Sequence, residues 1–504
     1  MDRLRPRADA EDDAQLHRPL RRIRGAPPRQ SSRLTVDAGL RERLLGIVGP
    51  QGLVDDAAAE RYLTDERNRY HGRAAAVVLP GSTRELAAVM ALCHAADVGM
   101  VPQGGNTGYC GGATPNASGE EVLIVLSRLN RVRAVDPLSG TITVEAGVVL
   151  ADAQRAAAEH GLLLPLSMGS EGSCQIGGNL STNAGGLAVL RYGTARELVL
   201  GLEVVLPDGR IWDGLTALRK DNTGYDLKQL FLGAEGTLGI ISAAVLKLFP
   251  MPAARETAWL AVRDLEAACA LLRLARQVVG DVVTSFEYVT RPSLELALAA
   301  MSRLRDPLDA AYEHYVLLEC SASGATGALG EAVSGLFESA LEAGLAEDGV
   351  IAATGVHRAA LWALRENVPA GEKAAGGSVK HDVSVAIARL PELAARAAAA
   401  VAAVAPAARL SVYGHIGDGN LHFNVLAPAG ADPEAFRAAH GEAVSAAVHG
   451  AAAALAGSFS AEHGVGQLKR DLLAATESSL ALEIMRGIKH VLDPKGVMNP
   501  GKVL

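Results

Sequence analysis

Three glycine-rich blocks, separated by long stretches of ordinary sequence, constrain this chain of 504 residues more than any other feature. The first, QGGNTGYCGG at 103–112, lets main-chain N–H groups turn inward without a Cβ in the way, as a loop around phosphate oxygens requires. The second, at 167–186, is too long for a turn and mixes glycine with the hydroxyl and amide donors that suit a pyrophosphate and a ribityl chain. The third, GAEGTLGII at 233–241, leads into a β-rich stretch. Together the blocks predict a large cofactor that the chain contacts at several points.

The common nucleotide-binding fingerprints do not accompany these blocks. The sequence has no G-x-G-x-x-G and no G-x-x-x-x-G-K-[ST], so a nicotinamide or P-loop site loses its main support. It also lacks H-E-x-x-H and G-x-S-x-G, which speaks against two hydrolase classes. Taken alone, the loop at 103–112 is equally compatible with a tight turn, and the second block favours the cofactor interpretation.

A second concentration of chemistry lies in YGHIGDGNLHFN at 413–424 and SAEHGVG at 460–466. His415, His422 and Glu462 carry the nitrogen and oxygen donors that suit zinc or manganese, with a position left open for substrate. The two histidines are seven residues apart, so the Gly-Asp-Gly between them must turn the chain if their side chains are to converge. The alternative is a set of structural histidines. The glycine-rich setting and the Glu-His pair favour a divalent-metal site.

Composition indicates an ordinary globular protein and excludes several classes. A net charge of -8 gives no reason to expect nucleic acid as a partner. The most apolar run, the alanine-rich stretch at 393–405, is too short and too weakly apolar for a membrane span. Five scattered cysteines without a CxxC pair argue against a disulfide framework or an iron–sulfur site, so a reducing cytoplasm is expected.

The N-terminal residues 1–34 have their own composition. They hold nine arginines, no lysine and no apolar run, which predicts a disordered arginine-rich tail rather than a signal peptide. A mitochondrial presequence is also arginine-rich, but the acids at 9–13 count against one. We therefore predict a cytoplasmic protein, with a mitochondrial location left open for a eukaryotic source.

Hydrophobic periodicity adds a coarse secondary structure. Residues 75–78 predict a short strand, and a helical pattern opens at Thr83. Residues 257–274 and 433–455 predict amphipathic helices whose apolar stripes belong to the core.

Seven motifs in order give the chain a family resemblance over about residues 60 to 504: PQGGNTGYCGG, GGNLSTNAGG, RYGTARELVLGLEVVLPDGR, GAEGTLGI, YGHIGDGNLHFNV, SAEHGVG and DPKGVMNPGK. The chain resembles the FAD-binding D-2-hydroxyacid dehydrogenases among the flavoproteins of the vanillyl-alcohol-oxidase type. The resemblance implies an α+β fold. A two-subdomain FAD-binding domain of the PCMH type would span 35–250, and a cap domain with an antiparallel sheet, carrying the metal-site histidines, would span 251–455. A C-terminal segment at 456–504 would return to the flavin.

The resemblance also implies which residues contact FAD. The loop from Gly104 to Gly108 would hold the pyrophosphate, and no histidine stands in 103–112 to tether the flavin, so non-covalent FAD is expected. The implied FAD contacts are Gly104, Gly105, Asn106, Thr107, Gly108, Gly177, Gly178, Ser181, Thr182, Gly185, Gly186, Ile240 and Asn499.

Metal, proton and substrate roles follow from the same resemblance. His415, His422 and Glu462 match the family's metal ligands, with zinc implied, and His463 matches the proposed general base. Further matches, to side chains that contact the substrate, are Arg365, Lys380 and Asn424. One departure stands four residues after Arg365, where Pro369 replaces a threonine. Because proline has no N–H, recognition of a distal substrate carboxylate is put in doubt.

The implied reaction is oxidation of a D-2-hydroxy acid to the 2-oxo acid, with hydride transfer to flavin N5. D-2-hydroxyglutarate is the favoured substrate, and D-lactate or glycolate comes next. The expected partners are this small acid and an electron acceptor such as an electron-transfer flavoprotein or a quinone, and a homodimer is the expected assembly. The alternative is a flavin-holding electron-transfer subunit without substrate chemistry of its own.

Overall fold

A computed structural model of the protein describes residues 38–323 and 326–504. The arginine-rich tail predicted at 1–34 lies outside the described residues. Ala38–Leu504 forms one compact unit, so the boundaries predicted at 250 and 455 stay predictions. Within the described ranges, no helix combines the length and the apolar character that crossing a bilayer would need.

The N-terminal part begins with a small parallel sheet. Its strands, in spatial order, are Ala76–Val78, Val122–Val125 and Met100–Gln103. Helix Thr83–Ala95 lies between the first and second strands in the chain and begins where the Ser82 side chain accepts the Glu85 N–H. Helices Ala38–Val48 and Asp56–Leu63 precede this sheet.

A five-stranded antiparallel sheet follows. Its strands in spatial order are Val132–Asp136, Thr141–Glu145, Ile240–Lys247, Val199–Val205 and Ile211–Gly214. A short pair, Leu162–Leu163 with Phe249–Pro250, stands apart from it. The helices of this region are Leu150–Ala158, Ile176–Ser181, Val189–Tyr192, Ala195–Leu198 and Lys228–Phe231.

The C-terminal part contains a larger antiparallel sheet of eight strands. Seven lie in the order Asp348–Ile351, Ala254–Val262, His314–Ala322, Val283–Thr290, Arg409–Gly414, Asn420–Leu426 and Ser378–Val379, and Asp382–Ser384 also pairs with Asn420–Leu426. The helices are Leu265–Val278, Arg291–Ala300, Thr326–Glu342, Gly355–Glu366, Val368–Ala374, Leu390–Val404, Pro433–Ala453, Arg470–Thr476 and Ser479–Leu492, with 3-10 turns at Gly280–Val282 and Ile387–Arg389. The predicted α+β class, with an antiparallel sheet in the cap, is confirmed.

One predicted helix is correct only in its second part, and another is confirmed. Residues 257–274 form the end of strand Ala254–Val262 and then helix Leu265–Val278, which begins where the Asp264 side chain accepts the Ala267 N–H. The strand is buried along most of its length, so its apolar residues do not alternate with polar ones and its periodicity resembles that of a buried helix. The helix predicted at 433–455 is present as Pro433–Ala453.

Candidate active site

The predicted metal ligands come together beside the large sheet. His415 follows strand Arg409–Gly414, and His422 lies within strand Asn420–Leu426. The turn between them uses Gly419 at φ 90°, where any Cβ would collide with the carbonyl of Val385. Ligand atoms of His415, His422 and Glu462 all lie within 4.8 Å of one another. Two imidazoles and one carboxylate at this spacing are a donor set that fits zinc and leaves room for a further ligand.

A buried carboxylate that the sequence analysis missed orients His415. Glu287, on strand Val283–Thr290, lies with Oε1 2.8 Å from His415 Nδ1, and its Oε2 accepts a hydrogen bond of 2.9 Å from Arg365 Nε. Burial acts to raise the pKa of Glu287, but the neighbouring His415 and Arg365 charges hold it below the ordinary value. His415 Nε2 faces Glu462 Oε2 at 3.7 Å, the side on which a cation would sit. Glu287 therefore orients the His415 ring through Nδ1, which leaves Nε2 facing Glu462.

Charge also affects His415 itself. Burial acts to lower the pKa of His415, but the carboxylates of Glu287 and Glu462 outweigh burial and raise it to about 9. The two carboxylates that favour a proton on His415 would also favour a metal cation bound to His415 instead of that proton.

Asp382 is a second buried carboxylate that the sequence analysis did not assign. It accepts the N–H groups of Glu462 at 2.8 Å and His463 at 3.0 Å, and it also accepts Asn420 Nδ2 at 2.9 Å. Its oxygens lie 3.7 Å from His422 Nδ1 and 3.6 Å from His463 Nδ1. One carboxylate thus holds the Glu-His segment against the strand that carries His422.

His463, the predicted general base, lies at the edge of this cluster. Its ring meets Tyr109 of the first glycine block edge-on with centroids 4.9 Å apart, and the Arg67 guanidinium lies 3.7 Å above the Tyr109 ring. Burial lowers the pKa of His463 despite the nearby Asp382 carboxylate. The neutral ring is therefore the favoured form, as a proton acceptor requires.

The three predicted substrate side chains lie close to the same cluster. Arg365 is 5% exposed and stacks over the Tyr413 ring at 4.7 Å, with its terminal N–H groups free of hydrogen-bond partners among residues 38–323 and 326–504. Lys380 and Asn424 meet at one further carboxylate, that of Glu372. The sequence analysis gave Glu372 no role.

The first two glycine blocks contact each other, and the second also contacts Glu462. The first block follows strand Met100–Gln103, and a Cβ at Gly105 would collide with the Ser173 carbonyl of the second block. In the second block, the Gly186 N–H donates to Glu462 Oε1 at 3.0 Å, and a Cβ at Gly185 would lie 2.5 Å from that atom. The second glycine block therefore touches a predicted metal ligand directly.

The third block and the chain terminus complete this contact region. The Glu235 N–H donates to Ser181 O, and both Glu235 carboxylate oxygens accept N–H groups, from Val465 at 2.7 Å and Gly466 at 2.8 Å. Asn499 Nδ2 donates to Gly112 O and to Glu235 O. All three blocks and the last residues thus share one network.

The other predicted FAD contacts occupy positions of different kinds. Asn106 adopts φ 55° and donates from Nδ2 to Thr64 O, which fixes the loop that also holds Gly104 and Thr107. Thr182 Oγ1 donates to Gly178 O at 3.0 Å, while Ile240 is buried at the start of its strand.

The region has the space and the free polar groups that a ligand needs. A Cβ at Gly108 or Gly178 would meet no atom within 4 Å. Gln175 Oε1 is buried without a hydrogen-bond partner among the described residues, and a Cβ built on Gly104 would come within 3.5 Å of it. Open space lined by glycine and an unpartnered buried amide oxygen fit a dinucleotide cofactor.

Two family models match this chain. The FAD binding domain matches residues 74–214, and the C-terminal domain of FAD linked oxidases matches 251–503. D-2-hydroxyglutarate dehydrogenase, mitochondrial, of Bos taurus is 38% identical over 91% of this chain and 82% of its own length. D-2-hydroxyglutarate dehydrogenase of Xanthomonas citri pv. viticola is 38% identical over 89% of this chain and 93% of its own.

Solved structures share the fold at low identity. p-Cresol methylhydroxylase with substrate bound superposes with a TM-score of 0.71 at 14% identity, covering 92% of this chain and 96% of its own. 4-Ethylphenol oxidase from Gulosibacter chungangensis, in its isoeugenol complex, gives a TM-score of 0.71 at 15% identity over 94% and 98%. These likenesses establish the fold predicted for the chain.

Proposed function

Since this chain belongs to the family of FAD-linked oxidases, as an FAD-dependent oxidoreductase acting on a CH–OH group, we propose that it oxidises a D-2-hydroxy acid to the 2-oxo acid with the help of a divalent metal. The observation that carries the proposal is the contact between the Gly186 N–H and Glu462 Oε1. The contact joins the predicted metal ligand Glu462 to the second glycine block, and it supports a proposal in which a metal-bound substrate would lie beside the flavin.

When bound, FAD would supply the hydride acceptor at N5. His415, His422 and Glu462 would hold a metal, with zinc favoured, that would supply a Lewis acid for the substrate hydroxyl. FAD contacts are proposed for the predicted residues of the glycine blocks, for Ile240 and for Asn499.

This chain's own side chains would handle the proton and the substrate's orientation. His463 is buried and favoured in its neutral form, so it would take the hydroxyl proton while the C2 hydride leaves with its electron pair. Asp382 would hold His463 in place through its main-chain N–H. The free terminal N–H groups of Arg365 would bind a substrate carboxylate, and Lys380 and Asn424 would contact the rest of the molecule.

The partners and location belong to the same proposal. An electron-transfer flavoprotein or a quinone would reoxidise the flavin, and the assembly would be a homodimer. The cattle and Arabidopsis thaliana relatives are named as mitochondrial proteins. For this chain we propose the cytoplasm, with no nucleic-acid partner.

The proposal is tested by anaerobic bleaching of the visible flavin absorbance with a panel of D- and L-2-hydroxy acids that includes hydroxyglutarate and lactate, together with achiral glycolate. We expect at least one D acid to bleach the flavin and its L enantiomer to fail. Chelator treatment should abolish bleaching, and added zinc should restore it. Absence of bleaching by every acid would contradict the enzyme proposal and favour the electron-transfer subunit, whereas chelator-insensitive bleaching would contradict only the metal.

A further inference from the structure

Glu372 is a fully buried carboxylate within the predicted substrate-binding group. Its Oε2 accepts Lys380 Nζ at 2.7 Å and Ser378 Oγ at 3.0 Å, and its Oε1 accepts Asn424 Nδ2 at 2.8 Å. The residue has no exposed surface. Burying a carboxylate costs free energy unless a cation and hydrogen bonds compensate for lost hydration, and here both are present.

The backbone fixes Glu372 at this position. It lies in helix Val368–Ala374, where a Cβ at the preceding residue, Gly371, would collide with the backbone of Leu296. Glycine therefore lets this helix approach helix Arg291–Ala300 closely. The hydrogen bonds from Ser378, Lys380 and Asn424 then hold the Glu372 side chain in place.

Glu372 is separated from the metal-ligand set by only one layer of side chains. Asn424 follows His422 by two residues on one strand, so both side chains point to the same face. Tyr413 connects them, because its ring lies 5.1 Å from that of His422 and its hydroxyl lies 3.4 Å from Asn424 Nδ2.

The carboxylate of Glu372 changes the number of unpaired cations near the candidate site. Arg365 is paired with Glu287 and Lys380 with Glu372, so each predicted substrate cation already faces a buried carboxylate. Lys469 donates to Phe459 O and Ser460 Oγ, and Arg67 lies exposed over Tyr109. A substrate with one carboxylate needs only one cation in addition to the metal. A second carboxylate brought to Lys380 would meet the negative charge of Glu372 at short range.

Pro369 acts in the same direction. It stands three residues before Glu372 on the same helix and offers no N–H to a distal carboxylate. Pro369 and Glu372, three residues apart on one helix, thus both disfavour an anionic side chain on the substrate.

We propose that Glu372 is a specificity residue that neutralises Lys380, so that this site takes D-2-hydroxy acids with an uncharged side chain in preference to dicarboxylates such as D-2-hydroxyglutarate. This inference rests on the proposed function. It distinguishes the chain from its relatives in one respect, since the cattle and Xanthomonas citri proteins are named for D-2-hydroxyglutarate.

The test uses two substrates that differ only in one charge, D-2-hydroxyglutarate and its 5-amide. For the native holoenzyme, we expect kcat/KM for the amide to exceed that for the diacid by about tenfold or more, because Glu372 already pairs with Lys380 and would lie close to a second substrate carboxylate. In Glu372→Gln, which keeps the shape and removes the charge, the ratio should move about tenfold towards the diacid.

A matched control is Glu319→Gln. Glu319 is also a buried glutamate of this part of the chain, but its carboxylate accepts neutral donors, Thr257 Oγ1 and Trp362 Nε1. The control should leave the amide-to-diacid ratio unchanged.

The outcomes separate the two proposals. Preference of the native enzyme for the diacid overturns the inference while leaving the proposed function intact, and this measurement does not depend on whether any variant folds. A Glu372→Gln enzyme with an unchanged ratio overturns the role of Glu372. Failure of every 2-hydroxy acid to reduce the flavin overturns the proposed function itself.

Discussion

At the scale of single residues, the buried carboxylates Glu287, Asp382 and Glu372 organise the candidate site. Each accepts hydrogen bonds from two or more groups that lie far apart in the chain, so each fixes the position of a residue with a predicted role. No sequence pattern distinguishes a single buried Asp or Glu on a strand or helix from an ordinary surface carboxylate. Sequence motifs therefore indicate the histidines but not the acids that position them.

His381 gives a residue-scale prediction about stability and pH. It is buried with Nδ1 2.7 Å from Phe423 O, and burial lowers its pKa to about 3. In the unfolded chain an ordinary histidine has a pKa of about 6.5, so between these values the unfolded state binds a proton that the folded state does not. Stability from this residue is complete above about pH 6.5 and is lost as pH falls, by on the order of 2 kcal/mol at pH 5.

Urea unfolding at pH 7 and pH 5 tests this prediction. A His381→Asn variant should be less stable than the native protein at pH 7, because it loses buried hydrogen bonds, but it should lose less further stability on going to pH 5. His160→Asn, at an exposed histidine, should keep the native difference between the two pH values. An unchanged pH difference in the His381 variant would contradict the prediction.

At the scale of elements, alanine substitutions in the first and second glycine blocks should differ in their effect on the stability of the flavin-free protein. Gly105→Ala places a methyl group against the Ser173 carbonyl, so we expect the protein to lose about 1–3 kcal/mol of stability together with its flavin. Gly178→Ala meets no protein atom within 4 Å, so the flavin-free protein should be as stable as the native one. If FAD fills that space, flavin binding should nevertheless weaken. Thermal unfolding of the flavin-free protein and the ratio of visible to protein absorbance check both variants, and full flavin content in Gly178→Ala would place the cofactor elsewhere.

Elements also show how far the sequence analysis could reach. The turn predicted at Gly-Asp-Gly, 417–419, is present, and with Gly419 at positive φ it brings the ligand atoms of His415 and His422 together. The helix predicted at 257–274 begins too early, because residues 257–262 belong to strand Ala254–Val262, in which burial on both faces removes the alternation that identifies a strand. Sequence patterns thus predict a turn, whose geometry depends on a few adjacent residues. They do not predict this buried strand, because its burial depends on how the whole sheet packs.

At the scale of the whole molecule, the candidate site is assembled from segments that are far apart in sequence. Gly186 and Glu462 are separated by 276 positions and Glu235 and Val465 by 230, yet both pairs are hydrogen-bonded. The residue types predict that the glycine blocks serve one cofactor and that the histidines bind one metal. They cannot predict that the two sets touch, since that contact depends on how the sheets pack.

Glu235 makes this assembly testable. Its carboxylate accepts the N–H groups of Val465 and Gly466, just after His463, and its own N–H donates to Ser181 O. Glu235→Ala would leave two N–H groups without this acceptor and free the Glu-His segment to shift, so we expect anaerobic flavin bleaching by the active hydroxy acid to slow by tenfold to about a hundredfold. Glu235→Gln keeps one acceptor oxygen, so its bleaching rate should lie between those of the native protein and Glu235→Ala. Glu295→Ala, at a partly exposed ion pair with Arg291, is the control and should bleach at the native rate. Native bleaching in Glu235→Ala with normal flavin content would show that His463 is positioned without the third glycine block, by Asp382 alone.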